Sequence, residues 1–254
     1  MIPNELTLPH AQPLDGEQAE SLLASGEIVL HGLVPWSSNY TFLVTVRGAA
    51  GEALAVYKPC RGERPLWDFP AGTLCRREVA TYQVSRQLGW PDIPPVVLRE
   101  GPYGPGSVQL FVEADQEEHY FILRDHPEYA QAFRRFALFD DIVNNADRKG
   151  GHILRGIRGQ VWGIDHGLTF HAEHKLRTVI WEYACQPIPL DCLMDLRGLR
   201  DALESEHAPL AEALSQLIST AEIEALKRRL ATRIRQGTFL QPRRNWRNVP
   251  YPLI

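Results

Sequence analysis

Apolar positions along the chain change period at several places, and each change marks an element. A short helical pattern begins at Asp15, which caps it, with Gln18 completing a capping-box spacing, and it ends near Gly26. Three alternating runs follow at 27–34, 40–47 and 53–58 and predict strands. The first two are joined by Pro35-Trp36-Ser37-Ser38-Asn39, small and polar at its tip, and the last two by the hairpin signal Gly48-Ala49-Ala50-Gly51. Residues 60–70 read as a loop. From 72 to 88 the spacing turns helical, with Leu74, Val79, Tyr82 and Leu88 on the apolar side and Gly89 as the stop. Two further strands are expected at 95–98 and 107–112, around a turn rich in glycine and proline.

Beyond residue 113 the pattern becomes helical. One long helix is expected from 127 to 143, with Tyr129, Phe133, Phe136, Ala137, Asp140 and Ile142 marking its faces. Short apolar runs follow at 153–154 and 160–164, then helices near 190–204, 208–218 and 220–236. The first dozen residues read as a loose arm. The tail 241–254, with three prolines, reads as irregular and packed through Trp246 and Tyr251. The expected class is therefore α+β: residues 1–113 hold a small antiparallel sheet with one inserted helix, and residues 114–254 are mainly helical.

Composition adds limits. The 254 residues are 44% hydrophobic and 23% charged, ordinary for a globular protein, and they suffice for one large domain or two lobes. A net charge of -4 argues against nucleic acid as a partner, although eight Lys/Arg against two Glu from Thr220 onward make the C-terminal stretch basic. No run of 18 apolar residues predicts membrane insertion, and the N-terminus shows no signal-peptide pattern, so a cytoplasmic protein is expected. Cys60, Cys75, Cys185 and Cys192 form no C-x-x-C pair, and reduced thiols are the simplest expectation.

Chemistry concentrates in Asn144-Asn145-Ala146-Asp147-Arg148-Lys149-Gly150-Gly151-His152 and in its echo Ile164-Asp165-His166-Gly167. Two aspartates eighteen residues apart, with a short hairpin between them, suit phosphoryl transfer. One carboxylate orients the attacking hydroxyl and the other holds a metal on the nucleotide phosphates. Asp147 is the expected catalytic carboxylate, Lys149 would neutralise charge on the transferring group, and Arg148 would brace the loop. Asp165 is the expected metal ligand. Lys58 ends the third strand, where it would pair with phosphates if a carboxylate held it, and Glu78 in the following helix is the candidate holder. Ser37, Ser38 and Asn39 would offer backbone N–H groups to phosphate oxygens. Backbone groups of Phe111, Val112 and Glu113 would meet an adenine edge.

These pieces together resemble the phosphatidylinositol 3- and 4-kinase branch of the protein-kinase-like superfamily, and the whole chain looks like a bacterial family with that distant similarity. The matching residues are Tyr57-Lys58-Pro59, Glu78, Asp147-Arg148 and Ile164-Asp165-His166-Gly167. The resemblance implies a bilobal protein-kinase-like fold with ATP and Mg²⁺ or Mn²⁺ in the cleft. It implies Lys58 on the phosphates, Asp147 as catalytic aspartate and Asp165 on the metal. His152 stands where the family has a metal-binding asparagine; as a nitrogen donor it suits Mn²⁺ or Zn²⁺ better than Mg²⁺, and binding a metal, hydrogen-bonding a phosphate, or neither, all stay open for it. The basic segment His171, His174, Lys175 and Arg177 falls where the lipid kinases read their acceptor. Three functions remain open from sequence: transfer of a phosphoryl group to a hydroxyl on a protein, small molecule or lipid; nucleotide binding without catalysis; and nucleotidyl transfer.

Overall fold

The structure, a computed structural model, describes residues 16–34, 39–49, 51–205 and 209–254. It divides into two compact units: residues 1–79 with 94–112, and residues 80–93 with 113–254. Ser37, Ser38 and the capping Asp15 lie outside the described residues.

In the first unit, helix α1 (Gly16–Ser25) precedes strands β1 (Glu27–Leu33), β2 (Phe42–Gly48) and β3 (Gly51–Pro59). Helix α2 (Leu74–Leu88) begins in this unit, which closes with β4 (Val96–Gly101) and β5 (Gly104–Leu110). The five strands are antiparallel in the order β1-β2-β3-β5-β4. Side chains alternate faces along a strand, so Ala53, Ala55 and Tyr57 of β3 share one face. There they join Leu22 and Leu23 of α1, Val44, Val46 and Val108 in one buried cluster. The same period turns Lys58 to the opposite face. Tyr57 anchors the far end of β3: its hydroxyl donates to the Gly104 carbonyl at 2.5 Å and accepts from the Tyr103 N–H at 3.2 Å.

The second unit holds the rest of α2, then β6 (Ala114–His119), α3 (Tyr120–Leu123), α4 (Ala130–Val143), β7 (Ile153–Gly156), β8 (Val161–Gly163), α5 (Leu190–Glu204), α6 (Pro209–Ser215) and α7 (Thr220–Gln236). Strands β6, β7 and β8 form a second antiparallel sheet. Neither β6 nor α3 was expected. The β6 sequence, Ala-Asp-Gln-Glu-Glu-His, has no apolar alternation to read, because its pairing with β7 rather than a buried face makes it a strand. The helix expected from 127 starts as a single 3-10 turn at Pro127–Tyr129 and becomes α-helical at Ala130. Capping chemistry is clearest on α7, where the Ser219 hydroxyl accepts from the Glu222 N–H and the Glu222 carboxylate accepts the Ser219 N–H at 2.9 Å.

Two expectations about cysteine and tail need correction. Cys60 and Cys75 form a disulfide; only Cys185 and Cys192 are free. Their separation of 15 residues gave no motif, and the loop between β3 and α2 brings them together. In the tail, Tyr251 is 82% exposed and does not anchor the chain; Trp246 lies 5.7 Å from the His174 ring. Among the described residues no helix is long and apolar enough to cross a membrane.

Candidate active site

In the second unit the site is built from the end of α4. Its apolar face, Phe133, Phe136, Phe139, Ile142 and Val143, is buried and fixes the helix. Asn144 then takes a left-handed conformation (φ 55°, ψ 51°) and ends it, a role asparagine fills at low cost because its short polar side chain can bond locally. The Asn144 amide donates to the carbonyls of His171 and Glu173 at 2.8 and 2.6 Å, and its oxygen accepts the Lys175 N–H at 2.9 Å. Asn145 donates to Asp140 Oδ1 at 2.9 Å and accepts the Asp147 N–H at 3.0 Å. The two asparagines thus fix the turn that delivers Asp147.

Asp147 Oδ2 lies 3.3 Å from Lys149 Nζ, with both side chains partly exposed. Burial raises the Asp147 carboxyl above its ordinary range; Lys149 and Arg177 oppose that rise and the charge of Asp165 adds to it. Asp165 follows β8 in the left-handed region (φ 57°) and is exposed, a strained backbone of the kind that collects at functional sites. His152 Nε2 is 3.4 Å from Asp165 Oδ2. Nitrogen and oxygen donors therefore face one another, a set suited to a divalent ion that takes its remaining ligands from phosphate and water.

Asp147 stands in a turn and not at the end of a strand. It lies between the close of α4 and the 3-10 turn at Gly150–His152 that leads into β7. Two glycines keep the loops tight: a Cβ on Gly150 would run into the Phe121 ring, and one on Gly163 into the Phe136 ring.

Arg148 is not part of the exposed chemistry. Its side chain is wholly buried against Asp140, with Nε 3.2 and 3.1 Å from the two carboxylate oxygens. Nη1 donates to the carbonyls of His152 and Ile164 at 3.2 and 3.1 Å, and Nη2 meets His166 Nε2 at 2.5 Å. A guanidinium only donates, so His166 accepts. Thr178 donates to Asp140 Oδ2 at 3.1 Å. One buried arginine thus ties the Asp147 loop to the Asp165 loop.

The first unit holds a separate cluster. Lys58 Nζ lies 2.6 Å from Glu78 Oε1; the lysine is 21% exposed and the glutamate 4%. Asn39 uses its side-chain oxygen on the Arg64 N–H at 2.8 Å. At the expected adenine edge, the Phe111 N–H bonds the Leu54 carbonyl at 2.9 Å and the Glu113 carbonyl accepts the Ile157 N–H at 3.2 Å. The basic segment also changes character. Lys175 is buried, and His174 is pushed down to about 4 by burial and by the charges of Arg243 and Arg229, so it is neutral at pH 7.

Sequence reasoning named Asn144 and Asn145 within the chemical stretch and Asp140 on a helix face without giving them a role, and it missed Thr178. An aspartate pair, Asp140-Asp141, inside an apolar helix face was the available signal, since a carboxylate there requires a buried partner.

No family model matches the sequence. Over 93% of its length the chain is 41% identical to Protein Rv2133c of Mycobacterium tuberculosis (strain H37Rv), and it covers 95% of that protein. The chain belongs to the family of this mycobacterial protein. Among solved structures it is similar to the Helicobacter pylori proinflammatory kinase CtkA, with a TM-score of 0.50, 12% identity, and coverage of 83% of this chain and 92% of that one. At that identity the likeness establishes the fold: α+β and kinase-like, with the antiparallel sheet N-terminal and the helices C-terminal.

Proposed function

We propose that this protein is an ATP-dependent phosphotransferase that passes the γ-phosphoryl group to a hydroxyl. The observation that carries this is the pair of loops presenting Asp147 and Asp165, pinned by one buried arginine, with Lys149 3.3 Å from Asp147. In residues 114–254, Asp147 orients the acceptor hydroxyl and receives its proton as the new O–P bond forms and the bond to the ADP leaving group breaks. Lys149 offsets the charge that develops on the phosphoryl oxygens. Asp165 and His152 hold Mg²⁺ or Mn²⁺, which supplies charge neutralisation on the phosphates when bound. Arg148 positions these groups without touching substrate. In residues 1–113, Lys58, held by Glu78, pairs with nucleotide phosphates, and backbone groups of Phe111, Val112 and Glu113 serve the adenine edge.

The CtkA neighbour is named a kinase, and the motif resemblance to phosphatidylinositol 3- and 4-kinases points the same way. Of the basic segment, Arg177 best suits an acceptor, since its charge is felt at Asp147. Drawing on ATP places the reaction in the cytoplasm. The test is incubation with γ-labelled or α-labelled ATP, Mg²⁺ or Mn²⁺, and protein, lipid and small-molecule fractions. Label from γ-ATP, lost in Asp147→Ala, is expected. Label from α-ATP would mean nucleotidyl transfer, and ATP binding without label from either would mean a regulator.

A further inference from the structure

The Cys60–Cys75 disulfide joins the same two elements as the Lys58–Glu78 ion pair. Cys60 comes two residues after Lys58, just past the end of β3. Cys75 sits three residues before Glu78, one turn back along α2. The covalent link and the ion pair are parallel ties between a strand end and the first turns of a helix. Glu63 adds a third tie: its Oε1 accepts the Cys75 N–H at 2.8 Å, occupying a backbone donor that the helix start leaves without an intrahelical partner. Its second oxygen, Oε2, is buried with no hydrogen-bond partner among the described residues. The two sulfurs and a Glu63 carboxylate oxygen lie within 4.8 Å of one another.

A buried carboxylate oxygen without a donor is costly, and reduction puts thiol hydrogens on the two sulfurs next to that carboxylate. We propose that Cys60 and Cys75 form a reversible redox site that sets whether Glu78 is held on Lys58. In the disulfide form, α2 is stapled at its first turn and the ion pair is fixed. In the dithiol form, that turn is released and the pair loosens. The reductant is an external dithiol. Its thiolate attacks the sulfur of Cys60, the more accessible of the two cysteines, and the S–S bond breaks. Cys75 leaves as a thiolate at the N-terminus of α2, where the helix dipole favours negative charge. The second thiol of the reductant then displaces Cys60 and departs as a disulfide, so two electrons and two protons have passed to the cysteines. A protonated Cys75 then offers an S–H donor to the Glu63 carboxylate beside it. Oxidation by a low-molecular-weight disulfide reverses the sequence.

The consequence for nucleotide rests on the proposed phosphotransfer, since Lys58 is its phosphate contact; the staple itself does not. Hydrogen exchange by mass spectrometry decides it, on oxidised protein, on protein reduced with dithiothreitol under a chelator, and on the C60S/C75S double variant. Amides of residues 74–80 are expected to exchange about tenfold or more faster in both the reduced form and the double variant, with α7 unchanged. Metal–ATP affinity is expected to fall by about tenfold in the same two forms, as the phosphate contact loosens. Equal exchange at 74–80 in all three proteins would overturn the proposal, as would faster exchange spread evenly over the chain. Equal ATP affinity in the oxidised and reduced forms would overturn the link to Lys58. Absence of ATP binding by oxidised protein would instead contradict phosphotransfer, and the exchange contrast would still decide the staple.

Discussion

Beneath the Asp147 loop, Asp140 and Arg148 are completely buried; at its rim, Asp147 and Lys149 keep 28% and 21% of their side chains exposed, and Asp165 keeps 53%. Both regions are built from ion pairs, and they are built oppositely. The buried pair is saturated: Arg148 reaches Asp140, His166 and two carbonyls, and Thr178 and Asn145 complete Asp140. A buried charge persists only when paired and hydrogen-bonded in this way. The rim pairs are longer, at 3.3 and 3.4 Å, and their side chains are partly open to solvent. The difference separates buried residues that fix the two loops from partly exposed residues to which we assign the chemistry, although Asp147 and Arg148 are neighbours in sequence.

Removing the buried partner should break this contrast most. Arg148→Ala leaves Asp140 uncompensated and is expected to cost about 3–5 kcal/mol of stability, read by urea denaturation. Thr178→Val removes one hydrogen bond to that carboxylate and should cost about 1.5–3 kcal/mol in the same assay. Rim substitutions should barely register there: Asp147→Asn and Lys149→Met are expected within about 0.5 kcal/mol of the parent. Equal losses at rim and hub would erase the distinction.

Finer effects appear against pH. Lys149 opposes the rise of the Asp147 carboxyl, so Lys149→Met should move the acid limb of transfer to higher pH. His174 titrates near 6.5 in the unfolded chain and about 4 in the folded one. As pH falls between those values the unfolded state takes up the proton first, so stability falls with it. His174→Gln should flatten that part of a Tm–pH curve.

Much of this was legible in the chain. Alternation gave the sheet around β3, and helical spacing gave α2, α5 and α7 almost to the residue. Local signals sufficed because each of these elements buries one regular face. The motif spacing brought Asp147, Asp165 and His152 to notice, and Lys58 with Glu78. What stayed hidden was set by contacts distant in sequence. Strand β6 exists through its partner β7. The disulfide depends on how the loop after β3 returns to α2. Arg148 read as a loop brace, and it does tie the two loops; its place in the interior depends on Asp140, and His166 and Thr178 complete the surroundings. His174 looked like a cation until Arg229 and Arg243 were found around it.

The account rests on a division of labour between two rim aspartates, and equilibrium dialysis of metal–ATP against three proteins tests it most directly. Asp165→Asn should lose metal-dependent ATP binding, while Asp147→Asn should bind like the parent and fail to transfer phosphate. Equal retention or equal loss of binding in both variants would contradict the roles given to these two carboxylates.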